Sequence, residues 1–186
     1  MLANWDKLGI SGESNFLQLF YDPYSETLVA HFFRSIGSGY GLRSLWKRGV
    51  SDEKYARLTS SDGFLSYEDP LICPVSSHVF ANVMRVEESE SGLDGYEWDS
   101  LQRIDLRTGE TEIIVDSGSQ GFNTPHEKIW ISTLHGASAD CRDLYCSAAV
   151  QKKGEGAVSP TEYYLSRIVI AEGRIERITR LSATFL

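Results

Sequence analysis

The sequence has no run of about 18 consecutive apolar residues, so no segment is suited to crossing a membrane as a helix. Helical signal is scarce as well. Few windows of about 11 residues place apolar side chains at i, i+3, i+4 and i+7 without a Gly, Pro or β-branched interruption. Cysteine is limited to Cys73, Cys141 and Cys146, an odd count without the spacing of a disulfide framework, and a reducing compartment is expected. Basic residues are outnumbered, with 18 Lys and Arg against 26 Asp and Glu, for a net charge of −8. That sign opposes a phosphate backbone and argues against a nucleic-acid partner. Residues 1–20 carry Asp6, Lys7 and Glu13 and no apolar stretch of signal-peptide length, so the expected location is cytoplasmic.

Catalytic signatures are missing too. There is no Gly-x-Ser-x-Gly, and the glycines of 37–41 are followed by no Lys-Ser/Thr. The His135, Asp140, Cys141, Cys146 cluster lacks the closely spaced pairs that zinc requires. No catalytic residue, cofactor or metal is expected. His31 sits inside an apolar strand and is read as a core histidine, whereas His78, at a strand mouth, is read as more exposed.

What the chain has in abundance is strand signal, supported by eight Phe, nine Tyr and four Trp. One pattern occurs three times without a gap, at 44–59, 100–115 and 164–179. It aligns Leu45, Leu101 and Leu165, then Lys47, Arg103 and Arg167, then Val50, Leu106 and Ile170. Upstream, Thr27, His78 and Asp143 align, as do Leu28, Val79 and Leu144, and then Ala30, Ala81 and Cys146. Such a period belongs to repeat architectures. The expectation is a single all-β domain over 1–186, built from three four-stranded antiparallel blade-like repeats at about 12–60, 61–118 and 119–186, a partial (half) β-propeller. In unit one the strands fall at 15–21, 27–34, 44–48 and 54–59. In unit two they fall at 71–73, 78–86, 100–106 and 111–116, and in unit three at 128–132, 144–151, 163–170 and 174–181. Gly109 and Gly173 supply the positive φ that tight hairpin turns need.

The segment Leu101-Gln102-Arg103-Ile104-Asp105-Leu106-Arg107-Thr108-Gly109-Glu110 resembles the third-to-fourth strand hairpin of six-bladed propellers of the TolB and prolyl-oligopeptidase type. Asp22-Pro23-Tyr24-Ser25-Glu26-Thr27-Leu28 is similar to the turn and inner strand of those blades, although Tyr24 departs from the usual acidic residue and the Gly is absent. The resemblance implies a blade fold and no activity. Three blades do not close a ring. Two exposed apolar flanks are therefore expected, covered by a second copy in a six-bladed homodimer or by a different protein.

The densest polar feature is 87–99, with six acids in 13 residues. It is read as a loop that is either merely solvated or an acidic arm for docking on a basic surface, with Glu87, Glu88, Glu90, Asp94, Tyr96, Glu97, Trp98 and Asp99 as partner-binding residues. The basic positions Lys47, Arg103 and Arg167 share one face and form either a cationic stripe or, as favoured, stems that cover apolar surface. The function expected is a non-enzymatic protein-binding domain, an inhibitor or immunity-type protein masking a basic partner. The alternative is a homodimeric six-bladed enzyme or small-ligand binder with its site on the axial channel.

Overall fold

The computed structural model describes residues 5–10, 15–37, 40–59, 64–89, 92–153 and 161–182. Alternating apolar and polar residues between turn formers produce strands throughout. The first sheet holds β1 (Asn15–Asp22), β2 (Thr27–Gly37), β3 (Tyr40–Gly49) and β4 (Ala56–Arg57) in that spatial order. The second holds β5 (Leu65–Ile72), β6 (His78–Ser89), β7 (Gly92–Asp105) and β8 (Thr111–Asp116). The third holds β9 (Glu127–Ala137), β10 (Asp143–Lys152), β11 (Glu162–Val169) and β12 (Arg174–Arg180). Every pairing is antiparallel and no sheet closes on itself. Helix is confined, among the described residues, to short 3-10 turns at Trp5–Leu8 and Ile170–Glu172. None is long and apolar enough to cross a membrane.

The threefold pattern read from the sequence is physical. Thr27, His78 and Asp143 each open the second strand of their sheet. Lys47 lies opposite Ala56, Arg103 opposite Glu112 and Arg167 opposite Glu176, the same register in all three third-to-fourth strand pairs. Gly109 and Gly173 have φ of +82° and +58°, the left-handed conformation their turns require. The three cationic heads are all engaged: Lys47 Nζ donates to the carbonyls of Leu106 and Arg107 at 2.8 and 3.0 Å, Arg103 pairs with Glu112, and Arg167 pairs with Glu176.

Several boundaries differ from the sequence reading: the fourth strand of unit one is only Ala56–Arg57 and not 54–59, the first strand of unit three runs to Ala137 and not 132, and three further differences bear on the site. First, residues 87–89 and 92–99 are strand and not loop, because β6 continues to Ser89 and β7 starts at Gly92, with Met84 facing Trp98 and Val86 facing Tyr96. The acids there obscured a period-2 alternation that keeps Val86 and Trp98 inside. Second, β5 begins at Leu65, well before the expected 71–73. Third, strand extends through Gly37 and resumes at Tyr40, beyond the expected 27–34 and 44–48. Gly41 is needed there, since a Cβ would fall 1.9 Å from the Phe33 ring.

The core lies between the sheets. Val29, Leu45, Leu65, Val79 and Ile104 fill the space between the first and second sheets, and Phe80, Leu101, Phe122, Ile131 and Leu144 fill that between the second and third. Each such side chain contributes about 1.5–3 kcal/mol by leaving water. On its far side, the first sheet buries Ala30, Phe32 and Trp46 under Ile10, with Leu8 and Tyr55 alongside. One of the two flanks expected to be bare is thus partly covered by residues just before β1.

Polar side chains tie adjacent sheets together. His31 on β2 donates from Nε2 to the Tyr67 carbonyl on β5 at 3.0 Å, and Asn82 on β6 donates to the Ile131 carbonyl on β9 at 3.3 Å. The two residues occupy the same repeat position, four after Thr27 and His78. In the third sheet that position is Ser147, which meets His135 of its own sheet at 2.7 Å.

The expectation that the cysteines form no disulfide framework is corrected. Cys73, at the end of β5, and Cys141, in the turn before β10, form a disulfide with a Cα separation of 6.0 Å across 68 residues of sequence. Sequence spacing does not reveal such a pair, because it is the stacking of two sheets that brings the residues together. Only Cys146 remains free, and burial pushes its thiol up to about 12. Alkylation of the denatured, unreduced protein is expected to label one thiol per chain. Reduction is expected to lower the unfolding free energy by about 2–4 kcal/mol in urea melts. Three labelled thiols without reductant would remove the bridge from this account.

Candidate functional site

The acidic hairpin separates into two kinds of residue. The side chains of Glu87, Glu88 and Asp94, and Glu90 altogether, lie outside the described residues. Of the rest, Trp98 is 6% exposed, stacks on Phe122 at 4.9 Å and donates from Nε1 to Asn82 Oδ1 at 2.9 Å, so it is a core residue and not an exposed anchor. Tyr96 reaches across to the first sheet, where its hydroxyl accepts the Gly41 N–H at 2.8 Å and donates to the Gly41 carbonyl. Glu97 pairs with Lys128 at 2.8 Å and Asp99 with Arg85 at 3.0 Å. These exposed pairs are individually weak. Among the described side chains of the hairpin, both acids are thus ion-paired, Trp98 is buried, and Tyr96 is partly exposed while its hydroxyl is bonded to Gly41.

A second feature forms where β5 lies between β3 and β9. Two clefts of about 370 and 510 Å³ meet there and share Arg43, Glu68 and Asp69. The larger one also takes in His31 from β2, Leu17 and Gln18 from β1, and Leu134 and His135 from β9. Its position follows from an irregularity in β5, whose register with β6 slips between Glu68 and Leu71. The slip contains Asp69-Pro70, and Asp69 has φ of +46°. A proline cannot donate to the sheet, so the strand bulges and re-aims Asp69. A left-handed non-glycine residue costs about 1–3 kcal/mol, which surrounding contacts must offset.

Those contacts are explicit. Asp69 Oδ2 accepts the Leu134 N–H at 3.3 Å. Burial nevertheless raises the Asp69 carboxyl above its usual range, against the opposing effects of that hydrogen bond and of Arg43 and His135. Arg43 is joined to Glu68 in an ion pair, and Ser66 Oγ accepts from the Arg43 N–H at 2.8 Å and donates to Glu68 at 2.6 Å. The guanidinium is thus already neutralised.

His31 is 4% exposed. A carbonyl oxygen only accepts, so the bond to Tyr67 assigns the proton to Nε2 and leaves Nδ1 as a bare lone pair. That atom is buried with no hydrogen-bond partner among the described residues. The expectation of a core histidine holds for its burial, while one of its two nitrogens remains unsatisfied. His78 is more exposed, as expected, and lies 3.6 Å from Asp105.

Catalysis by an activated hydroxyl finds no support at the His135–Ser147 contact. Ser147 is buried, and Asp69 directs its hydrogen bond to Leu134 and not to His135. Among the described residues no group of three or more His, Cys, Asp or Glu is placed to hold a metal ion. Sequence reading missed Arg43, Glu68 and Asp69. The available signal was Asp-Pro inside an apolar strand, a combination that marks a bulge. No protein-family model, curated protein or solved structure matches the chain.

Burial takes the His31 pKa from 6.5 to about 4, against the bond to Tyr67 and with the Arg43 charge adding to the fall. The unfolded chain therefore binds this proton more readily, and the associated stability is full above pH 6.5 and lost as pH falls toward 4. The loss is worth about 3 kcal/mol. Comparing urea melts of the wild type and His31→Leu at pH 7 and pH 4.5 should show the variant losing markedly less. Parallel pH dependence in both proteins would show that His31 is not the group responsible.

Proposed function

We propose that this chain is a non-enzymatic protein-binding domain whose contact surface is centred on β1. The observation that carries this reading is the exposure of apolar side chains on that strand. Phe16, Leu17, Leu19 and Tyr21 are between 42% and 53% exposed, and β1 is the terminal strand of its sheet. Pairing Leu19 with Ala30 and Tyr21 with Leu28 places these two side chains on the face opposite the second sheet. A row of large apolar groups on a terminal strand is suited to an incoming extended segment or to another sheet.

The net charge of −8 favours a basic partner, and the acids of the 87–99 hairpin add to the field that steers it. The hairpin thus assists at long range while β1 makes the contact, which suits a masking role of the inhibitor or immunity type. A blade of a partial propeller with its neighbour missing would expose such a strand, and the sequence resemblance to TolB-type blades supports that interpretation. The Cys73–Cys141 bridge favours an oxidising compartment for the encounter, in place of the reducing one expected from the cysteine count.

The double variant Leu19→Lys, Tyr21→Lys tests the reading. Both positions are exposed, so stability should change by no more than about 0.5 kcal/mol per site. Affinity for a partner captured by the wild type, or the dimer fraction in sedimentation if the partner is a second copy, should fall by about tenfold or more. Unchanged association of a folded double variant would refute β1 as the contact.

A further inference from the structure

We propose that the cleft where Lys47, Lys54 and Arg107 converge, between the first and second sheets, binds a tetrahedral dianion, either free phosphate or the phosphate group of a small monoester. The repeat itself points there. In the second and third sheets the third-strand cation meets a glutamate on the fourth strand, Arg103 with Glu112 and Arg167 with Glu176. In the first sheet the register is the same, yet the residue opposite Lys47 is Ala56. Two residues earlier, where unit two has Glu110, unit one has Lys54.

Equivalent clefts carry opposite charge as a result. In the second unit a cleft of about 490 Å³ sets Arg103 among Asp105, Glu110 and Glu112. In the first a cleft of about 270 Å³ brings Lys47, Lys54 and Arg107 together with one carboxylate, Asp52, which accepts the Gly49 N–H at 3.0 Å. None of the three cations is paired with a carboxylate among the described residues, whereas Arg85, Arg103, Arg167, Arg174, Arg177 and Arg180 all are. A chain of net charge −8 thus holds a local excess of positive charge.

Two of the cations are held in place by the chain itself. Lys47 Nζ spends two of its three N–H groups on the Leu106 and Arg107 carbonyls, at 2.8 and 3.0 Å, and keeps one. Arg107 Nη2 donates to the Tyr24 carbonyl at 3.4 Å, and the rest of its fork is uncommitted. A carbonyl is a dipole and not a counter-charge, so both remain uncompensated. Three cations less one carboxylate leave two positive charges, the complement of a phosphate monoester near neutral pH. Donors arriving from β3, from the turn after it and from the turn after β7 suit a tetrahedral ligand with several acceptors. The volume admits a phosphate with a short substituent, and the acidic balance of the chain disfavours a large polyanion. No residue of β1 takes part, so this reading and that of the β1 surface can fail separately.

The experiment is a titration of the intact protein with sodium phosphate and with glycerol phosphate, against sodium acetate and sodium chloride at matched ionic strength. It is followed by NMR at the Gly49 and Lys54 amides. Saturable binding of one or both phosphates is expected, weakened about tenfold or more in Lys54→Gln and in Arg107→Gln. Both positions are exposed, so these variants should keep the fold. Ala56→Glu, also exposed, restores the carboxylate of the other two sheets and should abolish binding by pairing with Lys47. Saturation by glycerol phosphate alone would support the site and identify a monoester as its ligand, and saturation by phosphate alone would identify the free ion. The proposal is overturned if neither phosphate saturates, if acetate or chloride produces the same shifts, or if the folded glutamine variants bind as the wild type does. Should Ala56→Glu not fold, the two glutamine variants decide.

Discussion

Two buried hydrogen bonds hold the three sheets in register with one another: His31 to the Tyr67 carbonyl and Asn82 to the Ile131 carbonyl. Each runs from the second strand of one sheet to the first strand of the next, at equivalent repeat positions. Apolar packing between sheets is strong but non-directional, and it would tolerate sliding. A buried amide or imidazole that loses its carbonyl incurs about 1–3 kcal/mol, which makes one relative placement preferred. Trp98 follows from this constraint, because its indole N–H completes Asn82 and its ring then stacks on Phe122. The disulfide between the ends of the second and third sheets reinforces the same placement covalently.

The cleft is a by-product of that fastening. Bringing β2 onto β5 buries His31, and the bulge at Asp69-Pro70 prevents β5 from filling the space that results. Local strain and a carboxyl raised by burial coincide at Asp69 on β5, close to the orphaned acceptor of His31 on β2. Repeating the unit generates the sheets, and breaking the repeat generates the chemistry. Glu68 and Asp69 lie in the one first strand where the register slips beside a proline, and the third unit answers His31 and Asn82 with a serine turned toward its own sheet.

The termini of the array show the same logic. The first sheet has no preceding sheet among the described residues, so residues before β1 lie over Phe32 and Trp46 while the apolar side chains of β1 stay exposed. Interior sheets can share an apolar face; a terminal sheet must be covered by other parts of the chain or leave it for a partner. The acidic balance of the chain and the apolar exposure on β1 thus come from different sources, one from composition and the other from position in the array.

Strand content, the threefold repeat and the turn glycines were legible in the sequence because each depends on local periodicity or on the φ of one residue. Thr27, His78 and Asp143 opened their strands as aligned, and Gly109 and Gly173 took the left-handed conformation. The hairpin at 87–99 was misread because charge density masked alternation whose inward members, Val86 and Trp98, are sparse. Arg43 and Asp69 carried no local mark strong enough to join them across 26 residues. Local sequence determined the strands, their order and the acidic balance. Tertiary structure decided that Cys73 meets Cys141, that Trp98 turns inward, and that His31 and Asp69 share a cleft. Each of those depends on which faces of separate sheets come into contact, a property of packing that no single strand encodes.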